Sequence, residues 1–234
     1  MDRHARRRHD AQNRSVNVAS ANRAPIEASP GGTKANADLA SEVEAVSRLG
    51  AEQSDWRNEM RKAYKLCREL RPRLYYVLKA VVKISVSVVL DKETAEFMKL
   101  PRTHNDGKFV DDARAIWNGL AKNRQAFLDA GLAARVFDDL PKLIDGFVEA
   151  KSRIQTARER ITIIRGEIVD RLGAGDKAID VIEAILATSA EADPNAVKHF
   201  RLAKRVGPSR AKPAASPETP AAATSNPDPT ARTA

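Results

Sequence analysis

The stretch "LPKLIDGFVEAKSRIQTARERITIIRGEIVDRL", residues 140–172, decides the fold. Leu140, Phe147, Ile154, Ile161 and Ile168 recur every seven residues, and Leu143, Ala150, Ala157 and Ile164 hold the second position of the same repeat. Only a helix places residues three and four apart on one face, so this spacing predicts a long helix with one continuous apolar stripe. Alanine at two stripe positions lets a neighbouring helix approach closely. Asp139 is positioned to cap the start, with Pro141 tolerated in the first turn. The "GAG" at 173–175 either turns the chain or marks a soft point in one longer helix, and the turn is favoured because two helix-interior glycines would cost roughly 2 kcal/mol. Residues 176–190 then form a further amphipathic helix.

A stripe this long needs a partner of similar length, and the chain supplies one. From Val46 an apolar 3–4 alternation runs through Leu49, Trp56, Met60, Ala63, Cys67, Leu70, Leu74, Val77, Val81, Ile84 and Val88. Gln53 is its one polar member. "SEVE" at 41–44 fits a capping box, with Ser41 as cap and Glu44 three positions on. Pro72 must end or kink this helix, and the stripe keeps its register across it, which favours a kink. "ISVSVV" at 84–89 also alternates with period two, but no second strand exists to pair with it, so helix is expected. A loop over 91–106 precedes a helix through Phe109, Ala113, Ile116, Leu120 and Phe127, with Gly131 as its stop. At about 1.5 Å per residue, 54–90 and 139–172 would each span roughly 50–55 Å. The expected fold is all-α: an elongated antiparallel bundle of four or five helices, two of them long. The heptads also permit pairing between chains.

Composition sets the outer bounds. Residues 1–36 and the Pro/Ala-rich tail 207–234 show no hydrophobic periodicity and are expected to be disordered, leaving 37–206 as one helical-bundle domain. The head is basic but leads into no apolar signal core, and the longest apolar run, 74–90, contains Lys79 and Lys83. Neither a secretory signal nor a membrane span is expected, and a cytoplasmic location follows as the default. The single cysteine, Cys67, excludes an internal disulfide and any multi-cysteine metal site. Net charge is +9, with seven Lys/Arg against three Asp/Glu in 1–36 and seven against four in 191–234. Residues 37–190 carry 26 against 24, so an anionic partner is expected at the ends of the chain.

Few groups carry chemistry. "LPRTHNDGKF" at 100–109 sets His104 among turn formers. Asn105 or Asp106 lies where a helix cap belongs, and Asp106, Asp111 and Asp112 favour the positive helix terminus. The competing reading, an enzyme centred on His104 and Asp106 or a metal bound there, lacks a third partner and the usual His/Cys ligands. No cofactor fingerprint occurs. Tyr75 and Tyr76 beside Arg71 and Arg73 could offer bases a stacking surface, although one of the two must face the core. Cys67 lies on the apolar stripe and reads as an inert thiol.

The closing segment "DPNAVKHFRLAKRVGP", 193–208, is better organised. Asp193 caps, Pro194 opens and Gly207-Pro208 stops a basic amphipathic helix over 193–206. Lys198, Arg201, Lys204 and Arg205 fall within an arc of about 120° at 100° per residue, a candidate contact for phosphates or an acidic partner.

The stretches "FMKLPRTHNDGKFVDDARAIW", "GLAARVFDDLPKLIDGFVEA" and "HFRLAKRV" together resemble an uncharacterised bacterial family of small all-helical proteins, over roughly residues 54–206. That resemblance implies an all-α fold and no particular activity or site. The expected role is therefore a non-enzymatic structural or protein-interaction module, acting through a protein partner or through self-association by its heptad helices. The alternative is a protein that binds nucleic acid non-specifically through its basic ends.

Overall fold

A computed structural model describes residues 1–102, 105–189 and 194–206. Every regular element among them is helical: α1 (Arg3–Ala21), α2 (Arg23–Glu27), α3 (Pro30–Ser85), α4 (Lys92–Phe97), α5 (Asp106–Lys122), α6 (Arg124–Asp129), α7 (Val136–Thr188) and α8 (Pro194–Ala203). The frame is an antiparallel hairpin of α3 and α7. Leu74, Leu78 and Val81 of α3 share a core with Phe137, Leu140, Ile144 and Phe147 of α7. At the opposite end Leu39 and Val43 join Ile179, Ile182 and Leu186. With 56 and 53 residues, the two helices run for about 80 Å at 1.5 Å per residue.

The predicted stripe of α7 is the seam of this hairpin. Leu140, Phe147, Ile154, Ile161, Ile168, Ala150, Ala157 and Ile164 are all buried, and Leu143 is half-buried. The heptads are thus satisfied within the chain. On α3 the odd member, Gln53, is fully buried and its Oε1 accepts from the Met1 amino group.

Several boundaries differ from the sequence reading. α3 begins at Pro30, capped by the Ser29 hydroxyl, which accepts from Gly32 N at 3.1 Å; Ser41 lies inside the helix and caps nothing. The helix continues through Pro72, which sits on the exposed side where a missing backbone donor is tolerated. It stops at Ser85 and turns, so 84–89 is neither strand nor a full helical turn more. The expected loop at 91–106 contains α4. Asp91 caps that helix, accepting from Thr94 N and Thr94 Oγ1 at 2.8 Å each and from Lys122 at 3.1 Å, and these bonds hold its carboxyl down to about 2. Asn123 divides the second predicted helix into α5 and α6, and Gly131 at φ +92° ends α6 as expected. α7 starts at Val136, three residues before the Asp139 proposed as cap.

The largest correction concerns the head. Residues 3–21 and 23–27 are helical, and α1 lies as a third helix in the α3–α7 groove. Ala5, Ala11, Ser15 and Ala19 face inward, and Ile26 of α2 is fully buried. Residues this small carry almost no hydropathy signal, yet they let a helix backbone settle deep between two others. Gln12, 1% exposed, donates from Nε2 to the Leu172 carbonyl and to Asp176 Oδ1, both at 2.7 Å. Arg8 pairs with the same Asp176 at 2.5 Å. His9 Nε2 lies 3.1 Å from the Val43 carbonyl and 3.0 Å from the Ser47 hydroxyl.

This docking also explains why "GAG" is not a turn. α7 passes straight through 173–175, and Gly175 is a buried stripe residue. A Cβ there would stand 2.8 Å from Cδ, Nε2 and Oε1 of Gln12. Glycine is retained for close approach, at a helix cost offset by the contact it admits.

α5 fills the same groove at the other end. Phe109 stacks edge-on against Phe147 with centroids 5.9 Å apart, and Ile116 and Leu120 are fully buried. Its cap is Asn105, whose Oδ1 accepts from Gly107 N at 2.9 Å and Lys108 N at 3.3 Å. Asn105→Ala is expected to cost about 1 kcal/mol, read as a shift in urea midpoint without a change in slope. The α3–α7 hairpin therefore holds a further helix in its groove at both ends, with α8 also packed on α1 and α7, and is two helices thick between them. None of its described helices is long and apolar enough to cross a membrane. The tail predicted for 207–234 lies outside the described residues.

Candidate anion-binding surfaces

α8 docks through Ala196, Phe200 and Ala203, which are 2%, 0% and 7% exposed. Its four basic residues do not act alike. Arg201 Nε donates to Glu183 Oε1 of α7 at 2.7 Å, and Lys204 pairs with Glu183 and, at 3.5 Å, with Asp180. The Arg205 carbonyl accepts from Arg14 of α1 at 3.0 Å. Lys198 and Arg205 keep exposed side chains. Two of the four predicted contacts are thus taken up in fastening α8 to the bundle.

Hydrogen bonds from Lys204 and Arg201 hold Glu183 below the ordinary carboxylate range. A depressed folded-state pKa contributes stability above the unfolded value and loses it as pH falls through the folded one. We expect α8 to stay docked near neutral pH and to loosen only in acid, below the pH at which an unpaired glutamate takes up its proton. Amide exchange over 196–203 should rise there before the α3–α7 seam opens, and Glu183→Gln should abolish that early step.

His104 lies outside the described residues. Its proposed partner, Asp106, is the first residue of α5 and is held by Arg71 and by Lys151 at 3.4 Å. Among the described residues no three His, Cys, Asp or Glu side chains converge as a metal site would require. Cys67 is half-buried, and burial first, then the Asp106 charge, push its thiol up. Tyr75 is half-buried and Tyr76 is 68% exposed, their rings edge-on at 6.3 Å beside a shallow depression shared with Arg71, Pro101 and Arg102.

A cationic surface that the sequence reading missed lies on the two-helix waist. Residues 54–70 of α3 and 150–166 of α7 carry ten Lys/Arg against four Asp/Glu, two-thirds of the net charge of the whole chain. Averaging over 37–190 concealed it, because the acidic residues sit nearer the ends. The waist charge is also sided. At 100° per residue Arg57, Arg61, Tyr64 and Arg68 fall within an arc of about 60° on α3, and Lys151, Arg158 and Arg165 within about 40° on α7.

Contacts place both arcs on one side of the hairpin. Arg158 donates to the Tyr64 hydroxyl, with its guanidinium 5.8 Å from the ring centroid. Arg71 and Lys151 reach the N-terminus of α5 at Asp106, and Met1, just ahead of α1, touches Gly50 and Gln53. The Met1 amino group also lies within electrostatic reach of Arg57, Arg6 and Arg165. α1 and α5 thus occupy the two ends of one groove and leave its middle open and basic. On the other side Lys62 pairs with Glu59 and Arg153 with Glu149, both at 2.6 Å.

Fold and surface together define an all-α helical hairpin with further helices packed on both ends and a cationic waist. No family model matches the chain, and no curated protein or solved structure matches it either; of the expected resemblance, the all-helical fold is what the structure shows.

Proposed function

We propose that this protein works by binding, as a non-enzymatic helical interaction module whose working surface is the waist. The observation that carries this reading is the narrowing to two helices in mid-molecule. Each end encloses its own core, whereas the waist presents the outer surfaces of α3 and α7 directly to solvent. Tyr64, Leu66 and Ile163 are 39%, 37% and 52% exposed there, in a stretch rigid enough to hold them at fixed spacing. A stiff two-helix segment between anchored ends can meet a partner with little loss of conformational freedom.

Site-specific photocrosslinking in cells tests this. A photoreactive residue at Leu66 or Ile163 should give discrete adducts, and one at Val89, 97% exposed beyond the end of α3, should not. Adducts at Val89 alone, or at none of the three, would overturn the reading.

A further inference from the structure

We infer that the open basic groove between α1 and α5 binds the phosphate backbone of duplex nucleic acid, an inference that rests on the waist being the working surface. Three observations identify the ligand class. First, the cations form a line. From Gln53, where Met1 ends the α1 side, to Arg71, where Asp106 starts the α5 side, the groove is open for about 27 Å at 1.5 Å per residue. Arg57, Arg61 and Arg68 are spaced along it by one and two helical turns. This is a straight row of charges on a stiff rod, suited to the regular backbone of a duplex.

Second, the floor is closed to an apolar partner. Ile154 and Ile161 are each 7% exposed and Ala157 is 0% exposed, already covered by the helix–helix seam. Beyond the Tyr64 ring, a docking amphipathic helix would find no large apolar side chain exposed along this row. It would find guanidinium groups, whose planar forks suit phosphate oxygens. Third, among the described residues Arg57, Arg68 and Arg165 have no carboxylate within ion-pair distance, and Arg61 donates only to Asn58 Oδ1 at 3.2 Å. On the opposite face Lys62 and Arg153 are spent on Glu59 and Glu149, whereas the acid bordering this row, Glu69, pairs with Lys65 at 4.0 Å and with none of the row's arginines. Recognition through phosphates alone is indifferent to base sequence.

The test is fluorescence anisotropy of the full-length chain with labelled mixed-sequence duplex DNA across a salt series. Four contacts from Arg57, Arg61, Arg68 and Arg165 predict a log K against log salt slope of about −3.6, at roughly −0.9 per phosphate. Arg57→Gln/Arg61→Gln/Arg68→Gln should reduce that slope by about 2.7 and weaken low-salt binding on the order of tenfold or more. Lys62→Gln/Arg153→Gln/Arg160→Gln removes the same charge elsewhere on the waist and should weaken it by only about twofold. Glu69 borders the row beside Arg61, Tyr64, Lys65 and Arg68, so Glu69→Gln should tighten binding, a gain that misfolding cannot imitate.

Equal losses from the two triple variants would reduce the effect to net charge and overturn the inference. So would binding to phosphatidylserine vesicles with none to duplex. Absence of duplex binding alongside waist crosslinks to a protein would also overturn it, while leaving the interaction-module reading intact.

Discussion

Phe147→Ala should destabilise the protein by about 3–5 kcal/mol, the range for emptying a buried aromatic site. Phe147 is 1% exposed where α3, α5 and α7 meet. Its ring meets Phe109 edge-on at 5.9 Å, and the Arg71 guanidinium lies over Phe109 at 4.8 Å from the centroid. Truncation removes the aromatic pair and leaves a void bounded by three rigid helices, none of which can collapse into it. Since domains of this kind are stable by about 5–15 kcal/mol, the loss is a large fraction of the total. Urea unfolding followed by circular dichroism should show a much lower midpoint. Ile163→Ala, at a site 52% exposed, should fall within about 0.5 kcal/mol of the parent. A loss at Phe147 below about 1.5 kcal/mol would contradict the three-helix packing described for that end.

Gly175→Leu should release α1. A Cβ alone would meet Gln12 at 2.8 Å, and leucine adds three further carbons. Gln12 cannot retreat without giving up its bonds to the Leu172 carbonyl and to Asp176, and its Oε1 is already buried without a protein partner. Overpacking and lost buried hydrogen bonds together should cost about 3 kcal/mol or more. Hydrogen exchange should then rise sharply over 3–21 while Leu74, Leu78 and Val81 stay protected, and trypsin should cut in the arginine-rich start of α1. The contrasting change is Gly166→Ala on the same helix. Its Cβ would touch nothing within 4 Å, so the helix should gain roughly 0.5–1 kcal/mol from propensity alone. If Gly175→Leu left α1 protected, the close approach would be wrong.

How far the sequence could be read depended on how strongly each element marked its buried face. In α7 the stripe is built from Leu, Ile, Phe and Ala at heptad spacing. Burial is what such a period encodes, so the helix and its inward face were legible residue by residue. On α5 the same held for Phe109, Ala113, Ile116 and Leu120, but on α3 only in part. Val46, Leu49, Ala63, Leu74 and Val81 are buried, whereas Trp56, Met60, Cys67, Leu70 and Val77 are half-buried and fully buried Leu78 lay off the predicted stripe. The cap of α5 was legible too, because an Asn before a turn of acidic residues satisfies orphan amide groups locally. None of these inferences needed a distant residue.

α1, Gly175 and the waist needed one. A helix marked only by Ala5, Ala11, Ser15 and Ala19 looks like a polar coil until a groove exists for small residues to enter. Gly175 looks like a breaker until Gln12 is seen occupying the volume its side chain would take. The charges at 57, 61 and 68 lie about 90 to 108 residues from Arg158 and Arg165 in the chain. They become one surface only when α3 and α7 run antiparallel, and acids that balance them in any long sequence window fall elsewhere in space. Arg201 and Lys204 illustrate the converse, since a basic face drawn on an isolated α8 is partly neutralised once Asp180 and Glu183 of α7 lie beneath it. Hydrophobic periodicity is a local property of a helix and was written in the chain. Close approach and the placement of charge depend on which distant residues share a space, and only the packing of the hairpin decided those.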